Sequence, residues 1–151
     1  MQSFLILPAA VGDCGECARL LVEQLREHGV VASTERLSQV LEAIVTNTGC
    51  GFVLVARIDE AIVGVAYAAT ILSAEHSGLV AWLEELYVTP SHRSRGVGSA
   101  LLAAVLERAR EAGVVAVDLE VDANHSRAES LYRRFGFRRL NRFRWVRAMT
   151  T

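Results

Sequence analysis

The stretch Val88–Leu102, "VTPSHRSRGVGSALL", joins a strand-like apolar run to a helix-like one through a loop of arginines and glycines. A strand, a glycine-bearing turn and a helix start build an anion site, because the first N–H groups of a helix lack internal partners and its dipole favours negative charge. Glycines let backbone approach a ligand closely, and arginines add permanent, bidentate charge. The ligand expected is a phosphate or pyrophosphate. A dinucleotide fingerprint would need a third glycine where Leu101 stands. A Walker-type loop would need a lysine, and the sequence contains none. What remains is R-x-x-G-x-G, Arg93-Ser94-Arg95-Gly96-Val97-Gly98.

Working outward, "SFLILPA" reads as a first strand ended by Pro8. "DCGECARLLVEQLREHG" reads as a helix capped by Asp13, and "STERLSQVLEAIVTNTG" as a second capped by Ser33 or Thr34. "GFVLVARID" and "AIVGVAYAATIL" read as a hairpin turning at Asp59-Glu60, and "LVAWLEELYVT" as the strand entering the loop. The helix "GSALLAAVLERAREAG", the strand "VVAVDLEVD" and the helix "HSRAESLYRRFG" follow, the last opened by a capping box of Ser126 and Glu129. "FRRLNRFRWVRAM" alternates arginine with apolar residues and reads as a closing strand. The order β-α-α-β-β-β-α-β-α-β predicts a mixed α/β domain, class α+β, around one mixed sheet. A length of 151 residues fits one domain over residues 1–151.

Composition narrows the function. A net charge of −1 gives no global field for nucleic acid or an anionic membrane. The arginines at 133, 134, 138, 139, 142, 144 and 147 resemble a nucleic-acid patch, but strand facing explains several of them as a solvated row. No apolar run reaches the ~18 residues of a membrane span. No basic region followed by a cleavable apolar segment opens the sequence, so the expected location is cytoplasmic. The absence of lysine removes Schiff-base and lysine-base chemistry. Cys14 and Cys17 have metal-pair spacing, but no second pair accompanies them and i, i+3 placement on a helix suits packing. His28, His76, His92 and His125 show no metal-ligand spacing, so no metal is expected.

The loop, the strand end "ELYV" before it, and "LYRRFGF" at Leu131–Phe137 together resemble the GNAT superfamily of N-acetyltransferases, over nearly the whole chain. The resemblance implies acetyl-CoA as co-substrate. It places the pyrophosphate on backbone amides from Ser94 to Ser99, with Arg93 and Arg95 adding charge. It pairs the pantetheine arm with strand backbone across Leu86, Tyr87 and Val88. The family often has an asparagine seven residues before its tyrosine. Here Asn124 lies eight before Tyr132 and His125 fills the seventh place, so Asn124 is a cofactor candidate one residue out of step.

Acetyl transfer to an amine needs a base for the ammonium, a donor for the thioester oxygen, and optionally an acid for the thiolate. Tyr132 is the candidate acid, since a phenol is protonated at neutral pH. Glu84 and Glu85 are the candidate bases. Regular alternation puts Glu84 with Trp82, Leu86 and Val88, and Glu85 with Leu83 and Tyr87, so only one faces the cleft. "WLEELYV" resembles the corresponding strand of diamine acetyltransferases, which points to Glu84. The acceptor side should use the two N-terminal helices, the "SAEHSG" loop with Glu75, and Tyr67 and Trp82. The expected activity is acetyl transfer to a primary amine of a small molecule by direct attack in a ternary complex. The alternatives are a protein or peptide acetyltransferase and a non-catalytic coenzyme A-binding module. Family members are often dimers, and the closing strand can pair across a two-fold, which makes a homodimer the expected assembly.

Overall fold

The structure, a computed structural model, describes residues 2–123 and 125–150. These form two compact units, one ending at Glu120 and one beginning at Val121. The first unit holds β1 (Leu5–Pro8), α1 (Cys14–Glu27), α2 (Thr34–Thr46), β2 (Gly51–Ile58), β3 (Ala61–Ser73), β4 (Gly78–Val88), α3 (Val97–Glu111) and β5 (Ala116–Leu119). The strands form one sheet in the order β1-β2-β3-β4-β5. Neighbours are antiparallel except β4 and β5, which are parallel. The mixed sheet and the order of elements match the α+β expectation as far as α4 (Ser126–Arg134), the helix of the second unit.

Alternation along β3 places the helices. Val65 joins the cluster made by Cys14, Cys17, Leu20 and Leu21 of α1, Leu41 of α2, and Val53 and Val55 of β2. Gly64, its neighbour, faces the other way, where a Cβ would come within 2.9 Å of Leu101 Cδ1 and 3.3 Å of Val97 Cγ1. So α1 and α2 cover one face and α3 the other. The missing side chain at Gly64 lets the first turn of α3 settle against the sheet, which fixes the loop before it. Cys14 and Cys17 are fully buried, and burial pushes the Cys17 thiol up to about 12. They pack as small apolar groups.

Three local expectations change. Asp13 stands at the N-cap position of α1, but its side chain makes no capping hydrogen bond to the helix. A short 3₁₀ turn, Val11–Asp13, runs straight into the helix, so Asp13 already has helical dihedrals (φ −87°, ψ −17°). Its carboxylate instead accepts from the Ala10 N–H at 2.8 Å and pairs with Arg57 of β2. The capping box at α4 is out of step by one residue: His125 is the cap and its Nδ1 accepts from the Ala128 N–H at 3.3 Å, while Glu129 pairs with Arg133 at 2.7 Å. Ser33 caps α2 as read, accepting from the Arg36 N–H. Residues 138–149 join no ladder among the described residues and are exposed. Two-fold alternation describes the faces a strand would have, but a strand exists only through a ladder partner.

Candidate active site

The site grows from one irregularity. Along β3 and β4 the pairs run Gly64–Val88, Val65–Tyr87, Ala66–Leu86 and Tyr67–Glu85, and then Ala68–Leu83. Glu84 is the extra residue of a β-bulge and has no opposite number. A bulge breaks the two-residue period. Residues directly opposite share a face, so Glu85 lies with Tyr67, and Trp82, opposite Ala69, lies on that same side. Tyr67 packs against the α1/α2 cluster, which identifies the face. Regular alternation grouped Trp82 with Glu84. The bulge regroups it with Glu85 and leaves Glu84 exposed.

Glu85 is half-buried, and burial pushes its carboxyl up to about 7. The neighbouring Glu84 carboxylate adds to the rise, and His28 at the end of α1 opposes it. Burial likewise raises the Tyr67 phenol, with Glu84, Cys50 and Glu85 adding to it. Tyr67, Cys50, Glu84 and Glu85 therefore share one electrostatic neighbourhood. A carboxylate titrating near neutrality is matched to proton transfer at physiological pH.

Beside this group runs an unshared strand edge. β5 pairs with β4 only from Val80 to Leu83. The Thr89 N–H donates to Val63 O, marking that pair as hydrogen-bonded. Alternation then makes Val65–Tyr87 and Tyr67–Glu85 hydrogen-bonded, and turns the N–H and C=O of Leu86 and Val88 away from β3. Leu86 and Val88 thus present the edge that an extended arm with amide groups would pair with. Tyr87, also expected to contact the cofactor, spends its backbone on β3 and its side chain in the core.

The edge leads through a 3₁₀ turn, Pro90–His92, into the anion loop. Thr89 Oγ1 and Ser91 Oγ hold His92 Nδ1 at 2.8 and 3.0 Å. Ser94 (φ 62°) and Gly96 (φ 83°) are both left-handed. Alternating conformations of this kind gather successive N–H groups into an anion-binding hollow, and a non-glycine residue held there is a common mark of a working site. Gly96 is the N-cap of α3 and no side chain caps the helix. The N–H groups of Val97, Gly98 and Ser99 are therefore the loop's donors, while the Val97 side chain is buried. Arg93 lies inward, its Nε donating to Val88 O at 2.9 Å and its guanidinium carbon 5.4 Å from the Tyr87 ring centroid. Arg95 is exposed and lines a cavity of about 240 Å³ with Gln2, Phe4, Ile58, His92 and Val97.

Glu75 sits in the β3–β4 turn, beyond Ser73, and the six residue steps from Tyr67 to Ser73 span roughly 20 Å. Asn124 lies outside the described residues. Tyr132 belongs to the second unit, where its ring meets Phe137 edge-on at 5.6 Å. Sequence reasoning missed Gln24, whose Nε2 donates to Leu86 O at 3.1 Å across 62 residues, and His28 beside Glu85. No local signal marks either residue. No group of three or more His, Cys, Asp or Glu able to hold a metal occurs among the described residues, and no helix among them is long and apolar enough to cross a membrane.

Comparison with known proteins gives the family and the fold. The thialysine N-epsilon-acetyltransferase of Sus scrofa is 31% identical over 153 aligned residues, covering 93% of this chain and 87% of that protein. The mycothiol acetyltransferase of Clavibacter sepedonicus is 51% identical over 53 residues, which are 35% of this chain and 17% of that protein. The chain thus spans about a sixth of the length of that relative. The solved structure of an aminoglycoside N-acetyltransferase in complex with coenzyme A shares the fold, with a TM-score of 0.83 at 20% identity, covering 98% of this chain and 96% of that one. The model of the acetyltransferase (GNAT) family matches residues 17–137, from α1 through the bulged strand and the anion loop to the end of "LYRRFGF", and on that match the chain belongs to this family.

Proposed function

We propose that the protein transfers the acetyl group of acetyl-CoA to a primary amine of a small molecule by direct attack in a ternary complex. The observation that carries this reading is the bulge at Glu84. It turns Glu85, with its raised pKa, onto the face of Tyr67 and Trp82, one residue from the outward edge at Leu86. Base and strand edge are thereby adjacent along the chain. Relatives named for thialysine and aminoglycosides support a small, cationic acceptor.

In this reading acetyl-CoA is a substrate that supplies an activated thioester. The edge at Leu86 and Val88 pairs with its arm, and the amides of the Ser94–Ser99 loop hold its pyrophosphate with help from Arg93 and Arg95. Glu85 takes a proton from the acceptor ammonium, directly or through one water. The freed amine nitrogen bonds to the acetyl carbon, the carbon–sulfur bond breaks, and the thiolate takes a proton from Tyr132; the second proton that the nitrogen sheds on becoming an amide restores the Tyr132 phenol through solvent, and Glu85 releases its proton to solvent. A thiol with a pKa of ~8.5 leaves readily, so Glu85 has the heavier task. Residues 1–151 act in this proposal as one catalytic domain, a reading supported by a family match that runs across both compact units. A homodimer and a cytoplasmic location belong to the same proposal and rest on sequence alone.

The test is thiol release from acetyl-CoA across a panel of diamines, aminoglycosides, amino acids and peptides. Turnover with small amines, abolished in Glu85→Gln, is the expected result. Turnover with peptides alone would move the acceptor to protein. Tight acetyl-CoA binding with no turnover on any amine would leave a coenzyme A-binding module.

A further inference from the structure

The two carbonyls that an arm on β4 needs are already engaged by side chains. Leu86 O accepts from Gln24 Nε2 at 3.1 Å, and Val88 O accepts from Arg93 Nε at 2.9 Å. Arg93 is held in turn by Glu27, with 3.6 Å between its outer nitrogen and Oε1. Both Gln24 and Glu27 lie on the last two turns of α1, where Glu23 also receives the Tyr87 hydroxyl at 3.4 Å. One helix end thus touches three consecutive residues of the strand edge, directly or through Arg93.

Neither holder is strong. Gln24 makes its bond while its Oε1 is buried with no partner among the described residues, and a half-satisfied buried amide gains little from staying where it is. The Arg93–Glu27 pair is long and its side chains are 37% and 49% exposed, the range in which an ion pair contributes least. Arg93 has five N–H donors on one planar group and sits over the Tyr87 ring, a pivot from which it can turn toward the loop.

We propose that Gln24 and Glu27 are positioning residues that set the affinity for acetyl-CoA. They and Arg93 hold the strand carbonyls, acetyl-CoA takes those carbonyls over, and Arg93 exchanges Val88 O and Glu27 for phosphate. This rests on the acetyl-CoA reading above. Glu27 is then a competitor of the pyrophosphate for one guanidinium, and Gln24 a competitor of the arm for one carbonyl.

The experiment is calorimetric titration of the full chain with coenzyme A at fixed salt, alongside steady-state kinetics. Glu27→Gln keeps the size of the side chain and removes its hold on Arg93. It is expected to lower Kd two- to five-fold, the span that an exposed ion pair covers, and to lower KM for acetyl-CoA with kcat unchanged. Gln24→Leu removes the other competitor together with its unpaired oxygen, and is expected to tighten binding independently. In an Arg93→Ala background Glu27→Gln should change nothing. A gain that persists there would be a general charge effect and would overturn the exchange. Unchanged or weaker binding by Glu27→Gln would overturn it as well, since Glu27 would then be organising Arg93. A wild-type chain that binds no coenzyme A overturns both this inference and the proposed function; one that binds normally and fails the Glu27 test overturns this inference alone.

Discussion

Tyr67 and Glu85 face each other across the β3–β4 ladder as the last matched pair before the register slips past Glu84. Glu85 adds to the cost of ionising the Tyr67 phenol, because a phenolate and a carboxylate there would share one half-buried face.

The pair gives a first prediction. Glu85→Gln should lower kcat by about 10²-fold or more, the usual worth of a positioned base. Wild-type activity should rise with pH through an apparent pKa of about 7. Glu84→Gln should keep the maximal rate and move that limb to lower pH, because the Glu84 carboxylate helps to hold the Glu85 pKa up. A pH–rate profile in which Glu84→Gln loses the limb and Glu85→Gln keeps it would reverse the assignment.

The same shift has a sign in stability. In the unfolded chain Glu85 ionises near its ordinary value of 4.5, but in the folded chain only near 7. Below pH 4 it is protonated in both states and contributes no difference. As pH rises through that window the folded state loses stability, and the loss is complete above about 7. Glu85→Gln escapes it, so at pH 8 the variant should be more stable by on the order of 1–2 kcal/mol, after allowance for partial exposure. Urea unfolding at pH 4 and pH 8 measures this, with matching curves expected only at the lower pH.

Tyr132→Phe removes one hydroxyl and keeps the edge contact with Phe137. It should slow turnover about ten-fold, modestly because a thiolate is a good leaving group, with the variant still folded at the assay temperature. A drop in Tm of several degrees together with full residual activity would make this tyrosine structural.

The cysteines separate direct transfer from an acetylated-enzyme route. Cys50 is exposed, while Cys14 and Cys17 are buried and the Cys17 thiol is held at about 12. Iodoacetamide should label Cys50 alone in the native protein, since only a thiolate reacts. Cys50→Ser should turn over normally. Loss of turnover in that variant, with a trapped acetyl-thioester in the wild type, would establish the two-step route instead.

Gly64→Val tests how the loop is positioned. A Cβ there meets Leu101 at 2.9 Å and the Tyr87 carbonyl at 3.2 Å, an overpacking that should cost about 1–3 kcal/mol. It should also raise KM for acetyl-CoA, because the displaced first turn of α3 carries the loop's donors. A variant with lowered Tm and unaltered KM would separate the packing from the site.

Much of this was legible in the sequence. Arg93, Gly96 and Gly98 between an apolar strand and an apolar helix announce an anion loop, and each strand and α-helix through α4 follows from periodicity and turn residues, whereas the two 3₁₀ turns do not. The Glu84–Glu85 choice was not legible. Face assignment from sequence assumes an unbroken two-residue period, and a bulge changes the phase without leaving any mark in composition. Asp13 was legible as the N-cap position, but not that the 3₁₀ turn before α1 brings its carboxylate back to the Ala10 N–H in place of a side-chain cap. The closing alternation at 138–149 describes two faces but not a neighbour. The contacts of Gln24 and Glu27 depend on where α1 meets a strand some sixty residues away, which no local pattern encodes.

The inserted residue at Glu84 also divides β4 into two stretches with separate histories open to them. The first, Val80–Leu83, is gripped by a strand on each side and carries Trp82 and the hairpin beyond it. The second, Glu85–Val88, is gripped on one side only among the described residues and carries Glu85, the proposed base, and the outward carbonyls. A slip between them uncouples their phases, so a one-residue change in the first stretch can re-face Trp82 without turning Glu85 or the outward carbonyls.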